Sequence, residues 1–193
     1  MPPKITFTPE AVTAAGFDIV KERGFGELSA RSIAERLKSS TGPVYTAFGS
    51  MDEIRAEVIR KAEELLMGYA YLPYTKSVFL NMGTGITLFA LENPVLFRSM
   101  FMETADRANI FEESIQKMAQ HLDEDELVSK LSEKDRAEVV KKMSIFTYGY
   151  ATLICTGVIK GVDKKTIIST MLDIGRDVID SALARCGKQG GAG

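Results

Sequence analysis

Residues 29–54 constrain the fold most, because they combine two short amphipathic segments with a tight connection. The first segment has apolar residues at three- and four-residue spacing, namely Ala30, Ile33, Ala34 and Leu37. This spacing predicts a short helix, and Ser29 suits its N-cap position. After a two-residue turn, Ser40 begins a second helix that ends near Ala47. Two short helices joined in this way form a helix-turn-helix, whose second helix enters the major groove of DNA.

The second helix has small and hydroxyl-bearing residues on its outward face. Val44 and Phe48 lie four residues apart and are expected to anchor the helix inward. An outward face of this kind suits close approach to phosphates and base edges. We therefore predict DNA contacts from both helices and the turn, at Ser29, Arg31, Lys38, Ser40, Thr41, Gly42, Pro43, Tyr45 and Thr46.

This stretch resembles the DNA-binding signature of the TetR family of bacterial regulators. The positions that match the family's I-A, S-x-G-x-L-Y, F and E-E-L elements are Ile33, Ala34, Ser40, Gly42, Val44, Tyr45, Phe48, Glu53 and Ile54. Three positions depart from the pattern. Lys38 replaces a turn glycine, Ser39 replaces a valine, and Met51 replaces a lysine that commonly touches phosphate. A helical hairpin with no role in DNA binding is the alternative.

The charge balance limits how such a domain binds DNA. The 193-residue chain has 24 Lys and Arg residues against 26 Asp and Glu residues, for a formal net charge of −2. The protein is therefore not a bulk polyanion binder, and its DNA affinity must come from locally placed residues and two copies of the domain. This favours a site-specific dimer over a protein that coats DNA.

The residue types needed for catalysis or metal binding are sparse. The chain has two cysteines, Cys155 and Cys186, and one histidine, His121. Cys155 is expected in the core, with redox sensing by the pair as the weaker alternative, and His121 is expected to be exposed. We find no metal cluster, nucleophile–base pair or glycine-rich phosphate loop, and expect no enzyme, metal or cofactor. The N-terminus lacks a secretion-signal pattern, so we expect a cytoplasmic protein.

Helical periodicity without a strand pattern predicts an all-α chain of two domains. Residues 1–54 are expected to form a three-helix helix-turn-helix domain, whose first helix begins with Thr8 as its cap and Pro9 as its first residue. A capping box from Ser50 to Glu53 predicts the start of a linking helix over residues 51–71.

Residues 72–186 are expected to form a helical-bundle domain for effector binding and dimerisation, followed by a flexible tail over 187–193. Ser132 opens a helix whose later part, residues 143–159, contains no charged residue. A membrane span must be considered there. The run is short for a span and contains Ser, Thr and Gly, so we expect a helix buried in the protein and no membrane partner.

This second domain resembles, more loosely, the C-terminal domain of a TetR subclass. The segment from Phe89 to Phe101 is similar to that subclass's helix-break segment. The segment from Phe146 to Leu153 is similar to its W-x-x-H-G-x-x-x-L element, with Tyr148 at the histidine position. The resemblance implies an effector-binding domain whose last two helices pair with their counterparts in a dimer.

Aromatic and thioether side chains in this domain predict an apolar or amphipathic small-molecule effector. We expect ligand contacts at Phe79, Met82, Ile86, Phe89, Met100, Phe101, Phe146, Tyr148 and Tyr150. The plainer interpretation is that such residues, at helical spacing, form the core.

Residues 143–159 and 167–183 are too apolar on all sides for helices at the edge of a monomer. Two such helices from each of two chains would form a four-helix bundle with two-fold symmetry. We predict interface contacts at Ile167, Met171, Ile174 and Val178. The predicted function is a ligand-responsive regulator, most simply a repressor released from a palindromic DNA operator by its ligand. The alternative is a ligand-binding or interaction protein whose DNA contacts have decayed.

Overall fold

The computed structural model describes residues 6–103, 107–119, 122 and 125–189. Within these ranges the chain forms nine α-helices and no strand, which confirms the predicted all-α class. The helices are α1 (Pro9–Arg23), α2 (Ala30–Arg36), α3 (Thr41–Ala47), α4 (Met51–Ala70), α5 (Val78–Glu92), α6 (Pro94–Arg98), α7 (Arg107–Ala119), α8 (Glu133–Cys155) and α9 (Lys164–Gln189). A 3₁₀ turn covers Phe25–Glu27, and a π-helical turn covers Ser99–Glu103.

Helix starts follow the predicted capping residues. The side-chain oxygens of Thr8, Ser29 and Ser132 each accept a hydrogen bond from the backbone N–H three residues later, at 3.1–3.2 Å. At the start of α4, Ser50 Oγ accepts from the N–H of Glu53 at 3.2 Å. The Glu53 carboxylate accepts from Gly49 N–H at 3.0 Å, one residue earlier than a standard capping box requires.

The chain divides into two compact units. The N-terminal unit comprises Met1–Leu65 and Val95–Ile110, and the C-terminal unit comprises Leu66–Pro94 and Phe111–Gly193. The sequence interpretation had assigned all of residues 72–186 to the second domain. The segment that begins at Val95 instead groups with the first three helices, because the turn after α6 packs on the 3₁₀ turn that follows α1.

The N-terminal unit has a small core made by α1 to α4. Its fully buried aliphatic side chains are Val12, Val20, Ile33, Val44, Ile54 and Val58. Each of the four helices contributes at least one of them. Val44, predicted to anchor the second helix of the helix-turn-helix, is in this core, whereas Phe48 caps that helix and is only half-buried.

Helix α5 is the centre of the C-terminal unit and packs against α8 and α9. It is buried along most of its length, from Phe79 to Ala90. A Cβ atom added at Gly83 would lie 2.5 Å from Met171 Cε, and one added at Gly85 would lie 2.3 Å from the backbone oxygen of Tyr69. These two glycines therefore permit close packing of α5.

The uncharged run over residues 143–159 occupies the second half of α8 and the turn after it. In the described part of the chain, no helix is long and apolar enough to cross a membrane. The expected burial of this run is only partial: Met143 and Ala151 are buried, but Ile145 is 67% exposed and Val158 is 69% exposed. Cys155 is buried, as predicted, and its thiol donates to the Thr152 carbonyl at 3.4 Å.

The last helix extends beyond its predicted end. Helix α9 continues to Gln189, so residues 187–189 are helical although the predicted tail began at 187. His121, residues 190–193 and the side chain of Cys186 lie outside the described residues.

Candidate nucleic-acid interface and ligand-binding residues

The helix-turn-helix is formed by α2, α3 and the turn between them. Helix α2 buries Ala30, Ile33 and Ala34 and ends with Leu37 as its C-cap. Ser39 N–H donates to the carbonyl of Ala34 at 2.9 Å, which closes the turn. Helix α3 then begins after Ser40 and is fixed by the buried side chain of Val44. The predicted limits of both helices are confirmed.

Lys38 has a left-handed backbone conformation, with φ at +53°. This is the position where the TetR signature has glycine. A side chain with a Cβ is disfavoured there by about 1–2 kcal/mol, because the Cβ approaches the following carbonyl. Lys38 therefore adopts, with strain, a left-handed conformation that glycine adopts without strain.

The residues predicted to contact DNA lie on an accessible face of this unit. Pro43 is half-buried, and the other eight are exposed. Tyr45 is 48% exposed, and no described residue makes a hydrogen bond to its hydroxyl. The hydroxyl of Thr46 donates to the carbonyl of Gly42 at 3.1 Å, so its remaining hydrogen-bonding capacity is that of an acceptor oxygen.

The cations of α2 differ in their availability. Arg36 donates to both carboxylate oxygens of Glu22 in α1, and the hydrogen bond lowers the pKa of that carboxyl. It therefore ties α2 to α1. Arg31 makes a fully exposed i,i+4 pair with Glu35 at 3.1 Å, which contributes little to stability and can be exchanged for a phosphate. Lys38 is exposed in the turn.

Ser99 and Gly24 are features of the N-terminal unit that sequence reasoning missed. Phe25 N–H donates to Ser99 Oγ at 3.2 Å across 74 residues of chain. Ser99 Oγ also lies 3.2 Å from a carboxylate oxygen of Glu103, to which it donates. Gly24 has a φ of +90°, and a Cβ added there would lie 2.5 Å from Ser99 Oγ. The sequence predicts Gly24 as the end of a helix, but no local pattern indicates that Ser99 lies against it.

The residues predicted to bind a ligand are distributed over both units. Met100 and Phe101 belong to the N-terminal unit, and the other seven belong to the C-terminal unit. Phe79, Met82, Ile86, Phe89 and Met100 are buried, which is the core role left open as the plainer interpretation. Phe101, Phe146, Tyr148 and Tyr150 are half-buried. Burial raises the pKa of the Tyr148 phenol, whose ring packs edge-on against Phe111 at 4.7 Å between centroids.

Two cavities in the C-terminal unit are lined by other residues. The first, the α5–α9 cavity, has a volume of about 630 Å³ and is bordered by Tyr74, Lys76, Leu80, Leu127, Arg176 and Ile179. The second has a volume of about 610 Å³ and is bordered by Phe111, Leu122, Arg136, Val140 and Ile145. None of the nine predicted ligand-binding residues lines either of these two cavities.

The four residues predicted at a dimer interface fall into two classes. Ile167 and Met171 are fully buried inside the chain itself, where Met171 Cε fills the space beside Gly83. Within one chain these two side chains therefore belong to the core, whereas the prediction placed them at an interface between chains. Ile174 and Val178 are half-buried. Sequence periodicity could not separate the two classes, since both lie on apolar stripes of α9.

Comparison with known proteins supports the assignment of the N-terminal unit. Residues 12–58 match the family described as bacterial regulatory proteins, tetR family. No curated protein matches the chain in sequence.

Three solved structures share the fold over most of their length. A TetR-like transcriptional regulator from Rhodococcus sp. RHA1 has a TM-score of 0.60 and 20% identity, with 91% of this chain and 94% of that chain covered. A candidate TetR-family transcriptional regulator from Rhodococcus sp. has a TM-score of 0.64 and 14% identity, covering 89% and 97%. A candidate transcriptional regulator from Streptomyces coelicolor has a TM-score of 0.56 and 15% identity, covering 87% and 98%. Residues 12–58 therefore form a helix-turn-helix domain of the tetR family of bacterial regulatory proteins, and the chain as a whole has the fold of TetR-like transcriptional regulators.

Proposed function

We propose that this protein is a ligand-responsive transcriptional regulator of the cytoplasm, most simply a repressor that a small apolar or amphipathic ligand releases from a palindromic operator. The observation that carries the proposal is the exposed face of α3, which presents Thr41, Tyr45 and Thr46. The helix is anchored on its other side by the fully buried Val44. Hydroxyl groups and a small helix surface suit phosphate and base-edge contacts in a major groove.

Two copies of the domain are required by the charge of the chain. With a net charge of −2, one recognition helix has too few cations nearby for tight binding. A two-fold dimer holds two such helices about 34–36 Å apart, which is one turn of DNA and matches two half-sites. The exposed apolar residues Ile145, Leu153 and Val158, together with half-buried Ile174 and Val178, supply surface that a second chain would cover.

Ligand response follows from a difference in affinity between two states of the dimer. A ligand that binds more tightly to a dimer with the wrong helix spacing shifts the population toward that state and releases DNA. The shift is limited by the ratio of the two ligand affinities.

A second candidate is a ligand-binding protein whose DNA contacts have decayed. It is favoured by the strained Lys38 in the turn and by a methionine at the first position of α4.

Selection from random duplexes separates the two candidates. The proposal predicts enrichment of a palindrome whose half-sites are centred about 10 base pairs apart. A folded dimer that enriches no sequence would overturn it in favour of the decayed protein. A variant with Tyr45 and Thr46 both changed to alanine is the matched control, because both are exposed and their loss should abolish enrichment without unfolding the domain.

The dimer itself is tested by sedimentation. Ile174→Glu should dissociate the dimer and abolish operator binding, because it places a charge on the proposed interface. Ser169→Glu is the control, since this exposed residue lies about 140° away around α9. A parent protein that sediments as a monomer at micromolar concentration with full operator affinity would contradict the proposed assembly.

A further inference from the structure

The α5–α9 cavity has the dimensions and the surface of a small-molecule site. Its volume of about 630 Å³ lies within the range of about 300–1,000 Å³ that is usual for ligand pockets. The side chains of Leu80 and Ile179 form a buried apolar floor, and Leu127 is 41% exposed at its edge. An apolar floor with a few polar groups at the edge is the typical arrangement for an amphipathic ligand.

The walls of this cavity are held in place by hydrogen bonds. Asp125 is 2% exposed, and its carboxylate accepts from Ser77 Oγ at 2.6 Å and from Phe79 N–H at 2.9 Å at the start of α5. Its other oxygen accepts from the N–H groups of Leu127 and Val128 at 2.9 and 3.1 Å. The segment that carries Leu127 is thus tied to the start of α5, and both walls are ordered before any ligand enters.

The opposite wall is formed by α9, which lies directly on α5. A Cβ atom added at Gly175 would lie 2.2 Å from Leu80 Cδ2, so the two helices touch immediately below the cavity. Arg176, which follows Gly175, lines the cavity together with Asp180. Ile174 lies about 200° from Arg176 around the helix, so a partner chain on Ile174 leaves the cavity open.

The charged groups at the edge favour a negative ligand. Lys76, Arg176 and Asp180 line the cavity and are exposed, giving two positive charges against one negative charge. No ion pair or hydrogen bond in the described part of the chain joins the side chains of Lys76 and Arg176 to a carboxylate. Burial raises the pKa of Tyr74 to about 12, with the charge of Glu92 as a smaller cause, so its hydroxyl stays a neutral donor near pH 7.

We infer that the α5–α9 cavity binds a small amphipathic carboxylate, with its apolar part on Leu80 and Ile179 and its carboxylate at Arg176 and Lys76. The inference deepens the proposed function, on which it rests for the assumption that the bound molecule is an effector. The binding site itself is a property of the C-terminal unit alone, and it can be tested without DNA.

Calorimetric titration with octanoate tests the site, with octanol and octylammonium as probes of equal chain length. We expect octanoate to bind most tightly. Arg176→Gln should weaken octanoate binding about threefold to fivefold and leave octanol binding unchanged, as expected for one exposed charged contact. Lys165→Gln removes the same charge from α9 outside the cavity and should change octanoate affinity less than about twofold.

A second pair of variants separates charge from shape. Leu127→Glu and Leu127→Gln have nearly the same size at an exposed position, and neither alters the backbone N–H that Asp125 holds. Only Leu127→Glu should weaken octanoate binding, because its charge repels the carboxylate. Absence of octanoate binding, or equal binding to all four variants, overturns the inference.

Operator binding is scored separately in the same preparations. Octanoate binding with the expected variant pattern, in a protein that enriches no palindrome, supports the site and overturns the proposed regulator. Enrichment of a palindrome without octanoate binding overturns the inference and leaves the regulator supported.

Discussion

The backbone N–H of Phe25 and the hydroxyl of Ser99 form a buried hydrogen bond of 3.2 Å inside the N-terminal unit. It joins the turn after α1 to the turn after α6, which is the contact that places Val95–Ile110 with the helix-turn-helix. Gly24 makes room for it, because any side chain at that position would meet the Ser99 hydroxyl.

Ser99→Ala should destabilise the protein by about 1–3 kcal/mol, since it leaves the Phe25 N–H buried without an acceptor. Gly24→Ala should destabilise at least as much, because it adds a strained φ of +90° to a steric clash. Denaturant unfolding measures both. Gly26→Ala is the control, since nothing lies within 4 Å of its added Cβ. A Ser99→Ala protein as stable as the parent would contradict this role of the hydrogen bond.

Tyr45→Phe should weaken binding to all DNA sequences by about 0.5–1.5 kcal/mol, the usual net value of one hydrogen bond, here to a phosphate. Thr46→Ala should instead change the base preference, because the proposed docking places its methyl group and acceptor oxygen near base edges. Fluorescence anisotropy with labelled duplexes measures both effects. Tyr71→Phe makes the same chemical change at an exposed tyrosine of the C-terminal unit and should have no effect. Equal affinity of Tyr45→Phe and the parent would show that the assigned docking is wrong.

Lys38→Gly should stabilise the folded state by about 0.5–1 kcal/mol, because relief of the left-handed strain exceeds the added freedom of the unfolded chain. It should also lower the salt dependence of DNA binding by roughly one unit of slope if Lys38 meets a phosphate. Lys38→Gln removes the charge and keeps the strain, so it should change the slope without raising stability. Thermal unfolding and salt titration separate the two effects, and a less stable glycine variant would exclude strain at this turn.

Met51→Lys should strengthen DNA binding and steepen its salt dependence by roughly one unit of slope. Met51 is the half-exposed first residue of α4, at the position where the resemblance to the TetR signature implies a lysine that touches phosphate. A small loss of stability is expected, because a cation at a helix N-terminus is unfavourable. Met51→Gln is the uncharged control. An unchanged slope would mean that this position does not face DNA.

Asp125→Asn should destabilise the protein by about 2–4 kcal/mol near neutral pH, since an amide nitrogen would face two of the donors that the carboxylate now accepts. Burial raises the pKa of Asp125, but its hydrogen bonds lower the pKa by a larger amount. The donors are Ser77, Phe79, Leu127 and Val128, and the net pKa lies below the ordinary value.

The sign of the pH dependence follows from that lowered pKa. The stabilising effect is complete above the ordinary aspartate pKa of about 3.9 and is lost as the pH falls through the lower folded value. The stability difference between parent and Asp125→Asn should therefore shrink below about pH 4. A difference that stays constant between pH 7 and pH 3 would contradict this assignment.

Local signals in the sequence predicted the elements well. Ser29, Val44 and Ser132 act through residues three or four positions away, and spacing at that range is visible in a sequence. Contacts over long separations were not predictable. The hydrogen bond between Phe25 and Ser99 and the hydrogen bonds between Asp125 and the start of α5 produce no periodic pattern in the sequence.

The candidate sites show the same limit. The exposed face of α3 could be predicted because α3 is short and has one buried anchor, Val44. The buried and exposed sides of α9 could not be predicted, because Ile167 and Met171 lie on an apolar stripe like that of Ile174. Only the packing of α9 against α5 shows which of these side chains are buried within the chain. The charged edge of the α5–α9 cavity is assembled from two distant segments, one at Lys76 and one in α9, and likewise has no local signal in the sequence.

Gly85 has a consequence for how this sequence can vary. The space beside it is filled by the backbone of Tyr69 and Ala70, at 2.3–2.6 Å from an added Cβ, and backbone cannot rotate aside as a side chain can. In a saturation library, position 85 should therefore accept glycine alone. Gly68, in α4 with nothing within 4 Å, should accept most residues, and alanine there should be favoured by about 1 kcal/mol. Mutational tolerance at these two glycines is thus set by the distance to a neighbouring helix backbone rather than by residue type.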